Sequence, residues 1–463
     1  MKTRTRLGKG IAAAVGLLLA TGTVQAVERQ WVGGLSGNWK VAENWDPSGL
    51  PVASDTVVIN GAAGTSVVAD QGNISGITLI TIYAGNTLGN QGTSRIGWSG
   101  GVINYGTLEN CLIYTNPDPL VNEGVIQARA GTMELGMTSK SLTNTSGEIR
   151  AIDGGMLKFS GTTLGGQISI ESGATMIREA TGYEATLEDI VVANDGTTSV
   201  RMSAWASGNR TVGWNLTGST EFTNDGIFNI TQDLDTDPGS NGTGTKGVRL
   251  TVADTAILFN TSKGSINIQQ HKTLYPQSAT YPVYLTMNAA GFINEGTITV
   301  SSLADSVATG SAQFQAPLVG FTNAGTLTVV GPQSSIQMAG QTLTQTAGTL
   351  DVKDGGSVVA ATVAIDGGTL AGNGSIILPP ISQLPGKAVL LNTGKELRCS
   401  NEILPMYWKN ADRFLHIKGL PRDRFGSPET LVVRLDFDEP LSVSNREIAE
   451  FKGDKKMIPR GKT

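Results

Sequence analysis

A short phrase recurs along most of the chain and limits what it can fold into. It consists of an apolar residue, an Asn two positions on, a Gly two positions after that, and then a β-branched or apolar pair. It reads Val102-Ile-Asn104-Tyr-Gly106-Thr-Leu108, Leu120-Val-Asn122-Glu-Gly124-Val-Ile126 and Phe222-Thr-Asn224-Asp-Gly226-Ile-Phe228. It returns as Phe292-Ile-Asn294-Glu-Gly296-Thr-Ile298 and Phe321-Thr-Asn323-Ala-Gly325-Thr-Leu327, with looser copies at Asn144, Gln345 and Gly368. Neighbouring copies are about 18 to 29 residues apart, a period that marks stacked repeats rather than a single globular core.

Between copies the pattern alternates with period two. Gln167-Ile-Ser-Ile170, Thr297-Ile-Thr-Val300, Thr326-Leu-Thr-Val-Val330 and Thr349-Leu-Asp-Val352 put apolar side chains on one face and polar ones on the other. Thr, Val and Ile fit a pleated strand because their branched side chains are unstrained there. The Gly after each Asn is expected to supply the left-handed backbone of a tight corner. Short strands joined by such corners close into a coil, each strand pairing with its equivalent one turn later. The expectation is therefore an all-β, right-handed parallel β-helix (solenoid), with the corner Asn residues stacked in an internal amide ladder. Ten to fourteen coils at about 4.8 Å each make a rod of about 50 to 65 Å.

Composition divides the rest. Residues 1–26 read as a signal peptide: a basic start at Lys2, Arg4, Arg6 and Lys9, an apolar stretch from Ile11 to Val24, and the small-x-small exit Val24-Gln-Ala26. The mature chain then begins near Val27, with no membrane span in it. Residues 27–60, with Trp31, Trp39 and Trp45, read as an N-terminal hydrophobic cap that hides the open end of the rod. Residues 61–377 hold the repeats. Between Val27 and Ile377 there are 15 Lys/Arg against 28 Asp/Glu, whereas the stretch from Leu378 onward carries 15 against 11 in far less length. That change in charge density places a domain boundary at the Pro-rich linker 378–386, followed by a β-strand segment at 387–445 and a basic tail at 446–463. Neither part is basic enough to suggest nucleic acid. The two cysteines, Cys111 and Cys399, exclude a disulfide framework and read as unrelated thiols, the alternative being a single bridge that ties the tail to the rod.

Chemistry-bearing residues are few. Asp233, Asp235 and Asp237 alternate as Ca²⁺-binding loop carboxylates do, although Pro238 and Gly244 stand where an EF-hand loop needs Gly and Glu. The alternative for these three is a solvated insertion between coils. Trp205, Trp214, Tyr275, Tyr281 and Tyr284 fall in or near longer inter-coil segments, where flat rings can stack on sugars. No paired-carboxylate, Ser/His/Asp or metal motif stands out, and there are two histidines, His271 and His416. No cofactor is indicated beyond that candidate Ca²⁺ loop.

The opening Trp31-Val-Gly-Gly34, Trp39, Asn44-Trp45, Pro51 and Asp55-Thr-Val-Val-Ile59, followed by the Asn-x-Gly coils, resembles autotransporter passenger domains and secreted bacterial β-helix exoproteins over about residues 31–377. That resemblance implies adhesion or surface structure more often than catalysis. The 86 residues after Ile377 are too few for the membrane barrel of that family. A second segment, Val389-Leu-Leu-Asn-Thr-Gly394-Lys-Glu-Leu397 with Phe414 to Pro421 and Thr430 to Asp436, is similar to the C-terminal β-sandwich of α-L-fucosidases. The catalytic barrel of that family has no counterpart here. The expectation is an exported, non-catalytic solenoid of the cell surface, secreted or periplasmic, with an extracellular polysaccharide or envelope glycan as partner. The alternative is a carbohydrate-active protein, either a β-helix hydrolase or lyase or a truncated fucosidase relative.

Overall fold

The computed structural model describes residues 26–69, 76–90, 95–97, 100–114, 119–136, 141–180, 184–202, 210–232, 246–270, 282–289, 291–302, 311–372, 375–377, 384–390, 393–402, 414–418 and 433–436. Among them there is no α-helix, and none is long and apolar enough to cross a membrane. One coil shows the plan: Leu120–Asn122 lies on face one, Val125–Arg129 on face two and Thr132–Gly136 on face three. Each strand pairs in parallel with its equivalent a turn later, as in Val121↔Thr143, Ile126↔Ile149 and Met133↔Leu157. The expected parallel solenoid is what forms. Face one advances through 14 parallel pairings from Glu28–Trp31 to Ser375–Ile377. At about 4.8 Å per step the rod is about 65 Å long. Face three is a separate 12-stranded sheet.

Alternation does the sorting. In Thr297–Ser302 the inward Ile298 and Val300 are fully buried while Thr297, Thr299 and Ser301 face out. Stacking the same pattern coil on coil builds one continuous apolar core, with aromatic layers such as Phe222 on Phe228 (4.9 Å) and Phe292 on Phe321 (5.1 Å).

The Asn ladder is present, but in two pieces at two different corners. Asn104 ends a strand of face one and donates to Asn122 (2.7 Å), which donates to Asn144 (2.6 Å), all at the corner between faces one and two. After Asn144 the Gly165–Gly166 turn takes over that corner, both glycines left-handed. The second ladder starts at Asn194, at the end of a face-two strand, and runs through Asn224, Asn260, Asn294 and Asn323 to Gln345 at 2.5–2.7 Å per step. It occupies the corner between faces two and three. Asn194 and Asn260 were not among the copies read from the sequence. The second is disguised by two extra residues before Gly264. Coils also run longer than the period suggested, with ladder steps of 18 to 36 residues.

The corner glycines have a different job from the one expected. Gly106, Gly124, Gly226, Gly296 and Gly325 are not left-handed; a Cβ at Gly124 would stand 2.2 Å from the Gly106 carbonyl oxygen, and one at Gly325 2.0 Å from that of Gly296. The carbonyl of the glycine below accepts the next strand's first N–H, as in Val125 N to Gly106 O (2.8 Å), so there is no room for a side chain. Left-handed corners use other residues, including Asn110, Asp153–Gly154 and, in the last coils, Gly348 and Gly368.

At the N-terminal end Trp31, Trp39 and Trp45 are buried and packed edge to face, with centroids 5.1 and 4.8 Å apart. Trp45 Nε1 donates to the Trp39 carbonyl (2.8 Å). Glu28–Trp31 pairs antiparallel with Trp45–Asp46 and parallel with Thr56–Ile59, so the cap region is also the first coil of face one. Beyond the rod, Lys387–Leu390, Lys395–Glu402, Phe414–Lys418 and Val433–Asp436 form a four-stranded antiparallel sheet with a small core of Ala388, Leu390 and Leu397. Both cysteines are free thiols, and burial pushes each of them up from the ordinary thiol range.

Candidate functional site

The three outward faces carry different chemistry. On face one the register sets two columns along the rod axis: Glu184, Gly213, Arg249, Tyr284, Gln313, Ser335 and, beside it, Thr186, Asn215, Thr251, Thr286, Gln315, Gln337. Gly213 opens a gap in the first column. Arg249 lies over the Tyr284 ring, 5.7 Å from its centroid, and reaches down across the gap to within 3.9 Å of the Glu184 carboxylate. In the next coils Thr286 Oγ1 donates to Gln315 Oε1 (3.1 Å), Gln315 Nε2 to Gln313 Oε1 (2.6 Å) and Gln337 Nε2 to Ser335 Oγ (2.9 Å). A phenol ring, a guanidinium plane and a run of primary amides thus stand half-exposed at the spacing of successive coils. Such groups stack on and hydrogen-bond to neutral hydroxylated ligands.

Face two is charged in its N-terminal half. Gln127 donates to Glu109; Arg150 donates to Gln127 (2.8 Å) and Glu148 (3.2 Å); and Arg129 lies 3.0 Å from Asp153 and 3.4 Å from Glu109. Ser169 Oγ adds a hydrogen bond to Glu148 (3.1 Å). Three carboxylates meet here, but each is engaged by an arginine, so the network is a set of surface ion pairs rather than a proton-transfer dyad. No aromatic ring takes part in it.

Face three is neutral over the coils from residue 227 to 330. Its outward residues are Ile227, Asn229 and Thr231, then Ser265, Asn267 and Gln269, Thr297, Thr299 and Ser301, and finally Thr326, Thr328 and Val330. Asn267 Nδ2 donates to Asn229 Oδ1 (2.9 Å), a short outer counterpart of the buried ladder.

Trp214 is a correction. It is fully buried: Val212, Trp214 and Leu216 point inward while Gly213 and Asn215 point out, and its ring lies 6.5 Å from that of Phe159. It is a core residue and cannot stack on a ligand outside the rod. Trp205, Tyr275, Tyr281, Asp233, Asp235 and Asp237 lie outside the described residues. Their segments, 203–209, 233–245 and 271–281, all connect face three to face one in consecutive coils. Among the described residues no group of three or more His, Cys, Asp or Glu could hold a metal ion. Of the five aromatics singled out from sequence, Tyr284 is the one placed on an outer face by the described structure.

Arg178 is wholly buried, on the strand Thr175–Ala180. It donates to the Ser160 carbonyl, and desolvation pulls its guanidinium down to about 10. The alternation Met176-x-Arg178 and the register Arg178↔Val200 place it inward; only its charge sets the expectation of exposure.

No protein-family model matches the chain, and no curated protein matches it.

Proposed function

We propose that the chain is an exported, non-catalytic solenoid of the cell surface that binds neutral glycan along face one. The reading rests on one observation: the column of Arg249, Tyr284, Gln313 and Gln315, which offers ring, guanidinium and amide groups in consecutive coils. Export is carried by the charge and apolar pattern of residues 1–26 and the Val24-Gln-Ala26 exit. Rod, cap and neutral faces suit a spacer that holds a binding surface away from its anchor point.

Tyr284→Ala tests it. The substitution removes an outward ring from a half-exposed position, so the fold is retained while retention on the bound glycan falls about tenfold. Retention would be measured on immobilised neutral polysaccharides with the full mature chain. Unchanged retention in Tyr284→Ala removes face one from the account. Turnover of pectic or fucosylated substrates that disappears in Glu184→Gln replaces binding with catalysis.

A further inference from the structure

The first backbone group engaged by the fold among the described residues is the Val27 N–H, which donates to Asp55 Oδ1 at 3.1 Å. Asp55 is completely buried. Its other oxygen accepts from Arg29 Nε (2.7 Å) and from the Val52 N–H (3.0 Å). Arg29 is otherwise occupied, its Nη1 donating to the carbonyls of Pro47 (2.7 Å) and Gly49 (3.3 Å). A carboxylate has about four acceptor positions, and three are filled. The remaining capacity is on Oδ1, on the side of Val27. The residue is then locked from its other end, because Thr56 N donates to the Val27 carbonyl (3.0 Å) and Glu28 pairs with Thr56. Ala26, immediately before it, is exposed.

We infer that Asp55 is the receptor for the α-ammonium group released when the chain is cut between Ala26 and Val27, so that removal of the leader completes the cap of the rod. Hydrolysis of that peptide bond leaves a carboxylate on Ala26 and an amine on Val27, and the amine is protonated at neutral pH. The same nitrogen that donated as a neutral amide then donates as a cation to a buried carboxylate, at the same position and without movement of the chain. Charge-assisted bonds of this kind are about twice as strong as neutral ones. Before the cut, Asp55 accepts from the neutral Val27 and Val52 N–H groups and from Arg29 as its one cationic partner. The cap, and with it the three-tryptophan layer, is thus more stable in the processed chain.

The inference rests on the export reading above, and the experiment separates the two. Intact mass and N-terminal sequencing of the exported chain give the cut site: a start other than Val27 defeats the processing reading and the inference with it. Given a Val27 start, hydrogen–deuterium exchange is followed in peptides covering residues 28–59. Four chains are compared: the Val27-start protein, the same protein with one Gly ahead of Val27, and each of these with Asp55→Asn. The expected result is exchange about tenfold slower in the Val27-start protein than in the extended one, with no difference between the two Asp55→Asn chains. Equal protection in the first pair, or a difference that survives Asp55→Asn, overturns the inference. Acetylating the Val27 amine of the otherwise unaltered protein supplies a variant whose Asp55 is intact; it is expected to exchange like the extended chain, and unaltered protection after acetylation is equally contrary.

Discussion

At the scale of single residues, glycine and asparagine divide the work of the corners. The Asn side chain turns inward and replaces an apolar residue by a hydrogen-bonding one, and the Gly lets the next coil's backbone approach. Each ladder runs head to tail, so its first member is left with an unused acceptor: Asn104 Oδ1 and Asn194 Oδ1 have no hydrogen-bond partner. Both first members sit on an isoleucine, Ile82 and Ile170 respectively. Substituting Asn260, in the middle of its ladder, by Val removes both the acceptor that the Asn224 amide uses in the ladder and the donor to the Asn294 oxygen, and costs about 2–4 kcal/mol in a denaturant titration. The same change at Asn194 strands only the Asn224 oxygen, relieves a polar atom from its apolar seat, and is expected to cost less. Gly325→Ala should cost about 3 kcal/mol because the added methyl meets the Gly296 carbonyl. Gly154→Ala, left-handed but with open space around it, should cost about 1 kcal/mol. Equal costs at the two glycines would return the corner to a purely conformational explanation.

At the scale of elements, strands and corners were legible because period-two alternation and the Asn-x-Gly phrase are local. The switch of the ladder from one corner to the other was not. Either corner is a bend between two sheets and accepts the same phrase, so only the pairing register tells them apart. Trp214 did carry a readable signal, since Val212, Trp214 and Leu216 alternate with Gly213 and Asn215, but proximity to a longer segment obscured it. The columns of face one were not legible for a different reason. Tyr284 and Gln313 become neighbours only through the pairing register, 29 residues apart in sequence. In the cap, Asp55 supplies a buried charge. Burial by itself would raise the Asp55 carboxyl, but the Val52 N–H, the Arg29 guanidinium and the Val27 N–H more than offset it, and the group is held below its ordinary value. A folded value below the unfolded one of about 3.9 means stability that is present above that pH and lost as pH falls through the folded value. Exchange protection of residues 28–31 should therefore drop below about pH 4 in the native protein. In Asp55→Asn it should show no such step.

At the scale of the molecule, a rod of about 65 Å distributes its surface into long, narrow faces. A ligand that matches such a face is itself extended, and gains contacts coil by coil. The charged network of face two lies in the N-terminal half, whereas the amide-rich columns of face one and the neutral stretch of face three lie in the C-terminal half, the half we propose to be the binding end. The most direct test of a non-catalytic glycan-binding rod is the affinity of the mature chain for a length series of one neutral oligosaccharide, with reducing ends counted before and after. The account predicts that affinity climbs with length until the oligosaccharide spans the coils from Glu184 to Gln337, with no new reducing ends. Affinity that levels off at two or three sugars, or any release of reducing ends, would contradict it.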